Sequence, residues 1–211
     1  KTLFPYTTLF RSKPVVVLMM CGRPVIFNEV RREAPAILCT WWLGSEAGNA
    51  ICNVLWGDYN PSGKLPMTFP QHNGQIPLYY QYKSTGRPTA LGGWCAKYID
   101  IPTEPAYPFG YGLSYTTFNY SDVKLLPGDG KGTYTRVAVT VTNTGKCEGE
   151  EVVQLYVRDE VASITRPIKE LKGFEKIKLS PGESKTVTFD VKDEQLGFYN
   201  NQMKFIVEKG D

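Results

Sequence analysis

Two kinds of hydrophobic pattern follow each other along the chain. In the first, continuous apolar runs at Val15–Met20 and Ala36–Trp42 are typical of strands buried on both faces, and a helical pattern follows each run. Val25–Glu33 is predicted as a short helix that ends before Pro35. Strand, helix, strand and helix with short connections predict a parallel sheet flanked by helices.

The helix after Ala36–Trp42 has the clearer signature. Its apolar residues recur at three- and four-residue spacing, so one stripe should face a core: Ala47, Ala50, Ile51, Val54 and Leu55. Ser45 is the expected N-cap, and Glu46 would place a negative charge in the first turn. Gly57 should end the helix in the left-handed conformation, and Asn60–Gly63 predicts a turn.

From Phe118 onward the pattern changes to short strands. Thr133–Thr142 alternates apolar and polar residues, and turn residues such as Ser180-Pro181-Gly182 separate the strands after it. The further strand candidates are Glu151–Val157, Leu171–Leu179, Lys185–Val191 and Met203–Val207. This spacing predicts an antiparallel β-sandwich, with a closing strand expected after Met203–Val207. The fold class is therefore an α/β fragment followed by an all-β sandwich.

The N-terminal segment does not continue either pattern. Thr2–Ser12, TLFPYTTLFRS, is word for word the translation of a common sequencing adapter. We therefore interpret residues 1–12 as a non-native segment and expect native sequence from about Lys13.

Composition excludes several classes of function. The formal net charge of +3 is small and scattered, so it gives no basis for nucleic-acid binding, and no apolar run is long enough to span a membrane. Five cysteines form no zinc spacing, and their odd number argues against a complete disulfide framework. We interpret them as free thiols that act as small apolar residues. His72 is the single histidine, so neither a metal site nor a cofactor is predicted.

Several motifs, in order, give the chain a family resemblance. Trp41–Pro66 carries the helix and the GDYNPSGKLP turn, and Tyr107–Thr117 reads YPFGYGLSYTT. Further motifs are Gly74–Tyr80, Thr85–Pro88, Val141–Gly145, Arg166-Pro167, Leu171–Lys176 and Gln202–Lys204. From Lys13 onward the chain resembles the C-terminal part of a family-3 glycoside hydrolase of the bacterial periplasmic β-glucosidase type. Ala47 and Cys21 depart from the family pattern, and Leu91–Lys97 matches poorly.

The resemblance implies a domain organisation. Residues 13–80 would be the end of a parallel-sheet α/β sandwich domain, residues 81–116 a linker, and residues 117–211 a fibronectin type III-like sandwich. A barrel domain would precede them in the whole enzyme. The resemblance also implies a periplasmic or secreted protein.

The resemblance further implies retaining, exo-acting hydrolysis of terminal β-D-glucosyl residues. The substrates would be β-linked gluco-oligosaccharides or aryl β-glucosides. Retaining hydrolysis needs two carboxyl groups about 5 Å apart. In the family, the nucleophilic aspartate lies on the barrel and the acid/base glutamate lies upstream of Val15–Met20. We therefore expect no catalytic residue in this chain and no activity of the chain alone.

Four residues are candidates for the rim of a substrate cleft. Glu46 lies where a strand passes into a helix, which is the ligand-facing edge of open α/β sheets, although interaction with the helix dipole is an alternative role. Lys97, Tyr98 and Asp100 belong to a long irregular segment, where surface contacts are the alternative role. Asp58 is interpreted as a turn residue.

Two other functions stay open. A β-xylosidase or an exo-glucanase of the same family would share every motif above. A non-catalytic carbohydrate- or protein-binding sandwich module would need exposed aromatic residues, for which Tyr156, Phe198 and Tyr199 are the candidates.

Overall fold

A computed structural model describes residues 13–87, 95–130 and 132–209. The adapter-like segment and most of the poorly matching Leu91–Lys97 lie outside these residues. The chain divides into two compact units, which are described separately. Unit 1 comprises the described part of Lys1–Tyr59 together with Met67–Leu78 and Lys97–Phe109. Unit 2 comprises Asn60–Pro66, the described part of Tyr79–Ala96, and the described residues from Gly110 onward.

Unit 1 begins with the predicted strand, helix, strand and helix. These are β1 (Val16–Met19), α1 (Asn28–Glu33), β2 (Ala36–Cys39) and α2 (Ala47–Trp56). β1 and β2 pair in parallel, with Val16 opposite Ala36 and Met19 opposite Cys39. The prediction of a parallel pair with intervening helices is confirmed.

The ends of the elements of unit 1 differ from the prediction. β1 is shorter by one residue at each end, and α1 begins at Asn28 and not at Val25. β2 stops at Cys39 and not at Trp42, because Trp41 has φ +53° and this left-handed conformation cannot continue a strand. The N-cap of α2 is Glu46 and not Ser45. Gly57 ends α2 with φ +85°, as predicted.

The expected burial of unit 1 is wrong. Val16 and Leu18 of β1 are 43% and 37% exposed, and none of the ten residues of α2 is buried. An apolar stripe on a helix can be buried, but it is buried only where another apolar surface packs against it. The two-stranded pair β1–β2 is too small to cover both of its own faces and a helix.

Phe69 is the packing centre of unit 1. Its side chain is 2% exposed, and its ring meets Phe27 edge-on at 5.9 Å and Trp41 at 5.7 Å between ring centroids. Tyr107 stacks on Phe27 at 6.0 Å, and the Phe69 backbone N–H donates to Tyr107 O at 2.8 Å. A small aromatic cluster therefore holds the irregular segments of this unit together.

Unit 2 contains the antiparallel strands. They are β3 (Phe118–Tyr120), β4 (Lys124–Pro127), β5 (Thr133–Asn143), β6 (Gly149–Val157), β7 (Glu170–Leu179), β8 (Ser184–Lys192), β9 (Phe198–Tyr199) and β10 (Phe205–Ile206). A short helix, α3 (Asp193–Leu196), follows β8. β5 pairs along one edge with β8 and along the other with β3 and β4, while β6 pairs with β7 and β9 with β10. The predicted order, α/β elements before an antiparallel β region, is confirmed.

Unit 2 has a continuous hydrophobic core. Its members are Val139, Val141, Val153, Ile177, Leu179 and Val187, and Phe118 and Phe189 pack against them. These side chains come from both the β5 sheet and the β6–β7 pair, so the two sheets share one apolar interior.

Asn143 is a polar side chain inside this unit, with 0% exposure. Its Oδ1 accepts from Thr116 Oγ1 at 2.7 Å and from Gly145 N at 3.0 Å. Its Nδ2 donates to Cys147 O at 2.9 Å and to Leu179 O at 3.0 Å. Each amide atom makes two hydrogen bonds, so Asn143 fixes the end of β5 without an unpaired polar atom.

Each of the two units is built from segments that are separate in the sequence. Asn60–Pro66, which the sequence groups with the preceding helix, belongs to unit 2, whereas Lys97–Phe109 belongs to unit 1. The bounds 13–80, 81–116 and 117–211 remain predictions along the sequence. Compactness depends on three-dimensional contacts, which cross such bounds.

Candidate functional site

Glu46 lies at the start of α2 on the surface of unit 1. Its Oε2 accepts a hydrogen bond from Asn49 Nδ2 at 2.6 Å, and its side chain does not cap the helix. The carboxylate is therefore held beside the first turn, where its charge suits the helix dipole. An exposed carboxylate with one amide partner is not a preorganised acid or base.

Lys97, Tyr98 and Asp100 also lie in unit 1 and are exposed. Within the described ranges, no hydrogen bond or ion pair joins any of these three residues to another of them or to Glu46. The role of all four residues at a cleft rim remains a prediction.

An open cleft of about 500 Å³ lies elsewhere in unit 1. Its lining residues are Asn28, Arg31, Arg32, Gln71 and Tyr107. Arg31 donates to Ala106 O at 3.3 Å and to Gln71 Oε1 at 3.2 Å, and Asn28 Nδ2 donates to Gln71 O at 2.7 Å. Within the described residues the buried Asn28 Oδ1 has no hydrogen-bond partner. The cleft is thus lined by guanidinium and amide side chains, which suit a polar ligand.

Unit 2 contains the most buried ion pair, that of Glu151 and Lys64. The Glu151 Oε2 lies 3.0 Å from Lys64 Nζ, and the two side chains are 11% and 15% exposed. Glu151 Oε1 accepts from Tyr120 Oη at 2.9 Å, and Lys64 Nζ donates to Gly112 O at 2.9 Å. Burial, followed by the adjacent Glu151 carboxylate, raises the pKa of Tyr120 above its usual value. Both carboxylate oxygens are occupied, so the contacts of Glu151 serve structure.

Other carboxylates of unit 2 are also bound by cations. Glu150 accepts from Ser62 Oγ at 3.2 Å and lies 2.6 Å from Lys176 Nζ. Arg166 lies 2.9 Å from Glu170 and 3.7 Å from Asp159, with its guanidinium over the Phe198 ring. The Arg166 guanidinium is thus shared by two carboxylates, which do not form the free acid and nucleophile pair that retaining hydrolysis requires.

The aromatic candidates for a binding module are corrected in part. Phe198 is 6% exposed and lies under Arg166, and Tyr156 is partly buried with its Oη donating to Gln154 Oε1 at 2.6 Å. Tyr199 is exposed, at 60%. Two of the three predicted platform residues therefore pack within unit 2.

The described residues contain neither a metal-binding cluster nor a membrane-spanning helix. Among the described residues, no group of three or more histidine, cysteine, aspartate or glutamate side chains could hold a metal ion. No helix in the described part of the chain is long and apolar enough to cross a membrane. His72 has a local role, since its Nδ1 accepts from Gly74 N at 3.0 Å.

Sequence reasoning missed the polar residues that organise each unit. Asn60 accepts from Ser114 Oγ and Tyr115 N and donates to Glu148 O at distances of 2.8–2.9 Å. Gln75, 2% exposed, donates from its Nε2 to Pro102 O at 2.9 Å. These residues lie in segments of turn-like composition, and the pattern does not show that their partners are distant in sequence. The NPSGKLP motif was the available signal, but it identifies a family and not a contact.

The chain is similar to known proteins in both sequence and structure. A profile described as the glycosyl hydrolase family 3 C-terminal domain matches residues 7–115, and one described as a fibronectin type III-like domain matches residues 151–211. The first match covers just over half of the chain and includes residues 7–12 of the adapter-like segment. The predicted fold class, including the fibronectin type III-like type of the sandwich, is confirmed.

Individual relatives match nearly the whole chain. A periplasmic beta-glucosidase of Salmonella typhimurium is 53% identical over 94% of this chain, and a beta-xylosidase of Formosa agariphila is 47% identical over 94%. The crystal structure of a beta-glucosidase from Listeria innocua in complex with glucose has a TM-score of 0.87, at 44% identity over 93% of this chain. The chain spans 26%, 27% and 28% of these proteins, about a quarter of their length.

Proposed function

Since the chain belongs to glycosyl hydrolase family 3, we propose that it is the C-terminal part of a retaining, exo-acting β-glucosidase. The observation that carries this proposal is the 53% identity with a periplasmic beta-glucosidase across 94% of the chain. The structural similarity to a beta-glucosidase in complex with glucose supports the same substrate class. The substrates of the whole enzyme would be β-linked gluco-oligosaccharides or aryl β-glucosides, and its compartment would be the periplasm or the exterior.

We propose a supporting role for the chain in this reaction. Retaining hydrolysis uses two carboxyl groups about 5–5.5 Å apart, one as nucleophile and one as acid and base. The buried carboxylate of Glu151 is bound by Lys64, and Glu150, Asp159 and Glu170 also contact cations. Such carboxylates lack the freedom to bind a sugar and transfer a proton. The nucleophile and the acid/base would come from the part of the enzyme that this chain does not match.

An aryl β-glucoside assay tests this role directly. We expect the purified chain to release no para-nitrophenol from para-nitrophenyl β-glucoside above the buffer blank. The matched pair of variants is Glu46→Gln, at the predicted cleft rim, and Glu160→Gln, an exposed carboxylate of unit 2. Turnover that Glu46→Gln abolishes and Glu160→Gln preserves would contradict the supporting role and make Glu46 catalytic.

A chimaeric enzyme tests the whole-enzyme proposal. Residues 13–211 would replace the matching segment of the Salmonella typhimurium enzyme, which is 53% identical to this chain. We expect a folded chimaera that retains β-glucosidase activity, while the same enzyme lacking the segment is inactive. A folded, soluble chimaera without activity would argue against this function.

β-Xylosidase activity is the second candidate, because a beta-xylosidase is 47% identical to the chain. The ratio of turnover on aryl β-glucoside to that on aryl β-xyloside distinguishes the two. If the segment carries specificity, this ratio changes in the chimaera; if the remainder of the enzyme carries it, the ratio stays that of the parent.

A further inference from the structure

The cleft of unit 1 contains a positive charge that no carboxylate of the described residues neutralises. Arg31, in the last turn of α1, is partly buried, and its guanidinium donates to Ala106 O at 3.3 Å and to Gln71 Oε1 at 3.2 Å. Both acceptors are neutral, and within the described ranges Arg31 forms no ion pair. Glu29 lies two positions earlier on α1, and residues at this spacing do not face each other on a helix. A guanidinium that is partly removed from water and has neutral partners is a binding group for an anion.

Hydrogen bonds from several segments of unit 1 hold the guanidinium of Arg31 in place. Gln71, which accepts from it, donates from its own Nε2 to Glu104 O at 2.8 Å. The Gln71 carbonyl accepts from Asn28 Nδ2 at 2.7 Å, and the Gln71 N–H donates to Oε1 of the buried Gln75 at 2.7 Å. Only some of the guanidinium N–H groups are used in these bonds, so the others can donate to a ligand. Because the guanidinium is already positioned, binding would cost little ordering of this side chain.

The charges that line the cleft favour an anion with a single negative charge. Arg32 is the other cation of the lining, and its Nε lies 3.1 Å from Glu33 Oε1. The lining therefore carries two guanidinium charges, of which Glu33 balances one. A carboxylate supplies the single negative charge that would balance Arg31, whereas a phosphate dianion would exceed it. The planar guanidinium also matches the two oxygens of a carboxylate.

An aromatic side chain lies in the same lining. The ring of Tyr107 stacks on Phe27, with 6.0 Å between the ring centroids. An aromatic ring beside a guanidinium suits a ligand that has both a C–H surface and a carboxylate. We propose that this cleft binds the carboxylate of an acidic sugar, a uronic acid, with Arg31 as its main contact. The carboxylate follows from the charges of the lining, while the choice of a sugar rests on the proposed function.

Isothermal titration calorimetry of the full chain with sodium glucuronate tests the proposal. We expect saturable binding with a dissociation constant on the order of 1 mM. The affinity should fall as sodium chloride is added, because salt screens the charges of an open cleft. Glucose is the matched neutral ligand, since it has a hydroxymethyl group where glucuronate has its carboxylate, and it should bind at least about tenfold more weakly.

Two further ligands separate the possible sources of the negative charge. Acetate has the carboxylate without the sugar ring, and it should bind more weakly than glucuronate. Inorganic phosphate should also bind more weakly, because its second charge has no cation to balance it. Glucose, acetate or phosphate bound as tightly as glucuronate, or no binding of glucuronate, would each overturn the proposal.

A variant of Arg31 tests whether the binding occurs in this cleft. In Arg31→Gln the charge is lost, and glucuronate should bind at least about tenfold more weakly, because a charge-assisted hydrogen bond is removed. Arg23→Gln is the matched control, since Arg23 is an exposed arginine of unit 1 outside the cleft lining, and its affinity should be unchanged. Far-UV circular dichroism establishes that both variants fold. Unchanged affinity in a folded Arg31→Gln variant would overturn the proposal.

Chemical modification of the unaltered chain gives the same information if Arg31→Gln does not fold. Phenylglyoxal reacts with guanidinium groups, and peptide mapping by mass spectrometry locates the modified arginines. At a glucuronate concentration equal to the dissociation constant, the rate at Arg31 should fall to about half, while the rate at Arg23 stays the same. An unchanged rate at Arg31 would overturn the proposal. These measurements need no glycosidase activity, so their failure is distinct from failure of the proposed function.

Discussion

Both units contain regular apolar patterns but bury their apolar side chains very differently. In unit 2, six apolar side chains from four strands form one continuous core. In unit 1, the buried hydrophobic residues within the described part are Met19 and Phe69, while Trp42 and Trp56 are 82% and 81% exposed. The difference shows that a regular pattern gives secondary structure in both units, whereas a core forms where two apolar faces meet.

The polar groups of the two units differ less than their apolar groups. Unit 2 buries Asn143 with each amide atom making two hydrogen bonds, and it contains an ion pair with contacts on both carboxylate oxygens. One buried polar atom in each unit has no hydrogen-bond partner among the described residues, Asn28 Oδ1 in unit 1 and Arg166 Nε in unit 2. The continuous apolar core is therefore the reason to expect that unit 2 unfolds as the more cooperative unit.

The strongest test of this comparison removes the buried carboxylate of unit 2. Glu151→Ala leaves the Lys64 ammonium, 15% exposed, without its counter-ion, and we expect unfolding free energy to fall by about 3–5 kcal/mol. Urea unfolding followed by far-UV circular dichroism measures this loss. Glu160→Ala is the control, since that exposed pair should contribute about 0–1 kcal/mol. Equal effects of the two variants would show that the buried pair is not a structural centre.

A matched pair of leucines compares the two units directly. Leu179→Ala removes a side chain with 0% exposure from the core of unit 2, and we expect a loss of about 2–5 kcal/mol. Leu18→Ala removes a side chain of β1 that is 37% exposed, and its effect should be at most about 1 kcal/mol. Urea midpoints of both variants, measured against the unaltered chain, check this order. A larger effect at Leu18 would break the contrast between the units.

The smallest expected effect is a dependence of the unfolding free energy on pH in the alkaline range. The pKa of Tyr120 is raised in the folded chain, so the unfolded chain loses this proton first as pH rises above the ordinary tyrosine value near 10.0. The contribution of protonated Tyr120 to stability is therefore complete below that pH. It is lost as pH rises through the folded-state pKa of Tyr120. In Tyr120→Phe, the urea midpoint should decline less steeply above about pH 10 than in the unaltered chain. Parallel declines in the two chains would mean that Tyr120 does not titrate differently on folding.

The sequence predicted most of the elements and little of what they contact. The alternation of Thr133–Thr142 predicted β5, observed at Thr133–Asn143, because a period of two depends on local geometry. The stripe of α2 predicted the helix, observed at Ala47–Trp56, but not its exposure, because exposure depends on the presence of a covering surface.

The contacts within candidate sites were the least predictable feature. Glu46 was located on the correct helix, yet its single bond to Asn49 could not be inferred from its position. The Lys64–Glu151 pair joins residues in different segments of the chain, and the Asn60–Glu148 hydrogen bond does the same. Such contacts depend on how distant segments pair in the folded chain. The local periodicity of one sequence does not show this pairing.

The place of Lys64 also decides where the molecule can be divided. A cut before residue 117 would isolate every strand of the sandwich, and on the primary structure it looks like a clean modular boundary. It would also remove the ammonium that neutralises Glu151 and the Asn60 amide that binds the backbone before β6. A recombinant sandwich should therefore keep Asn60–Pro66, carried on a grafted linker, because in this protein the autonomous folding unit is discontinuous in sequence.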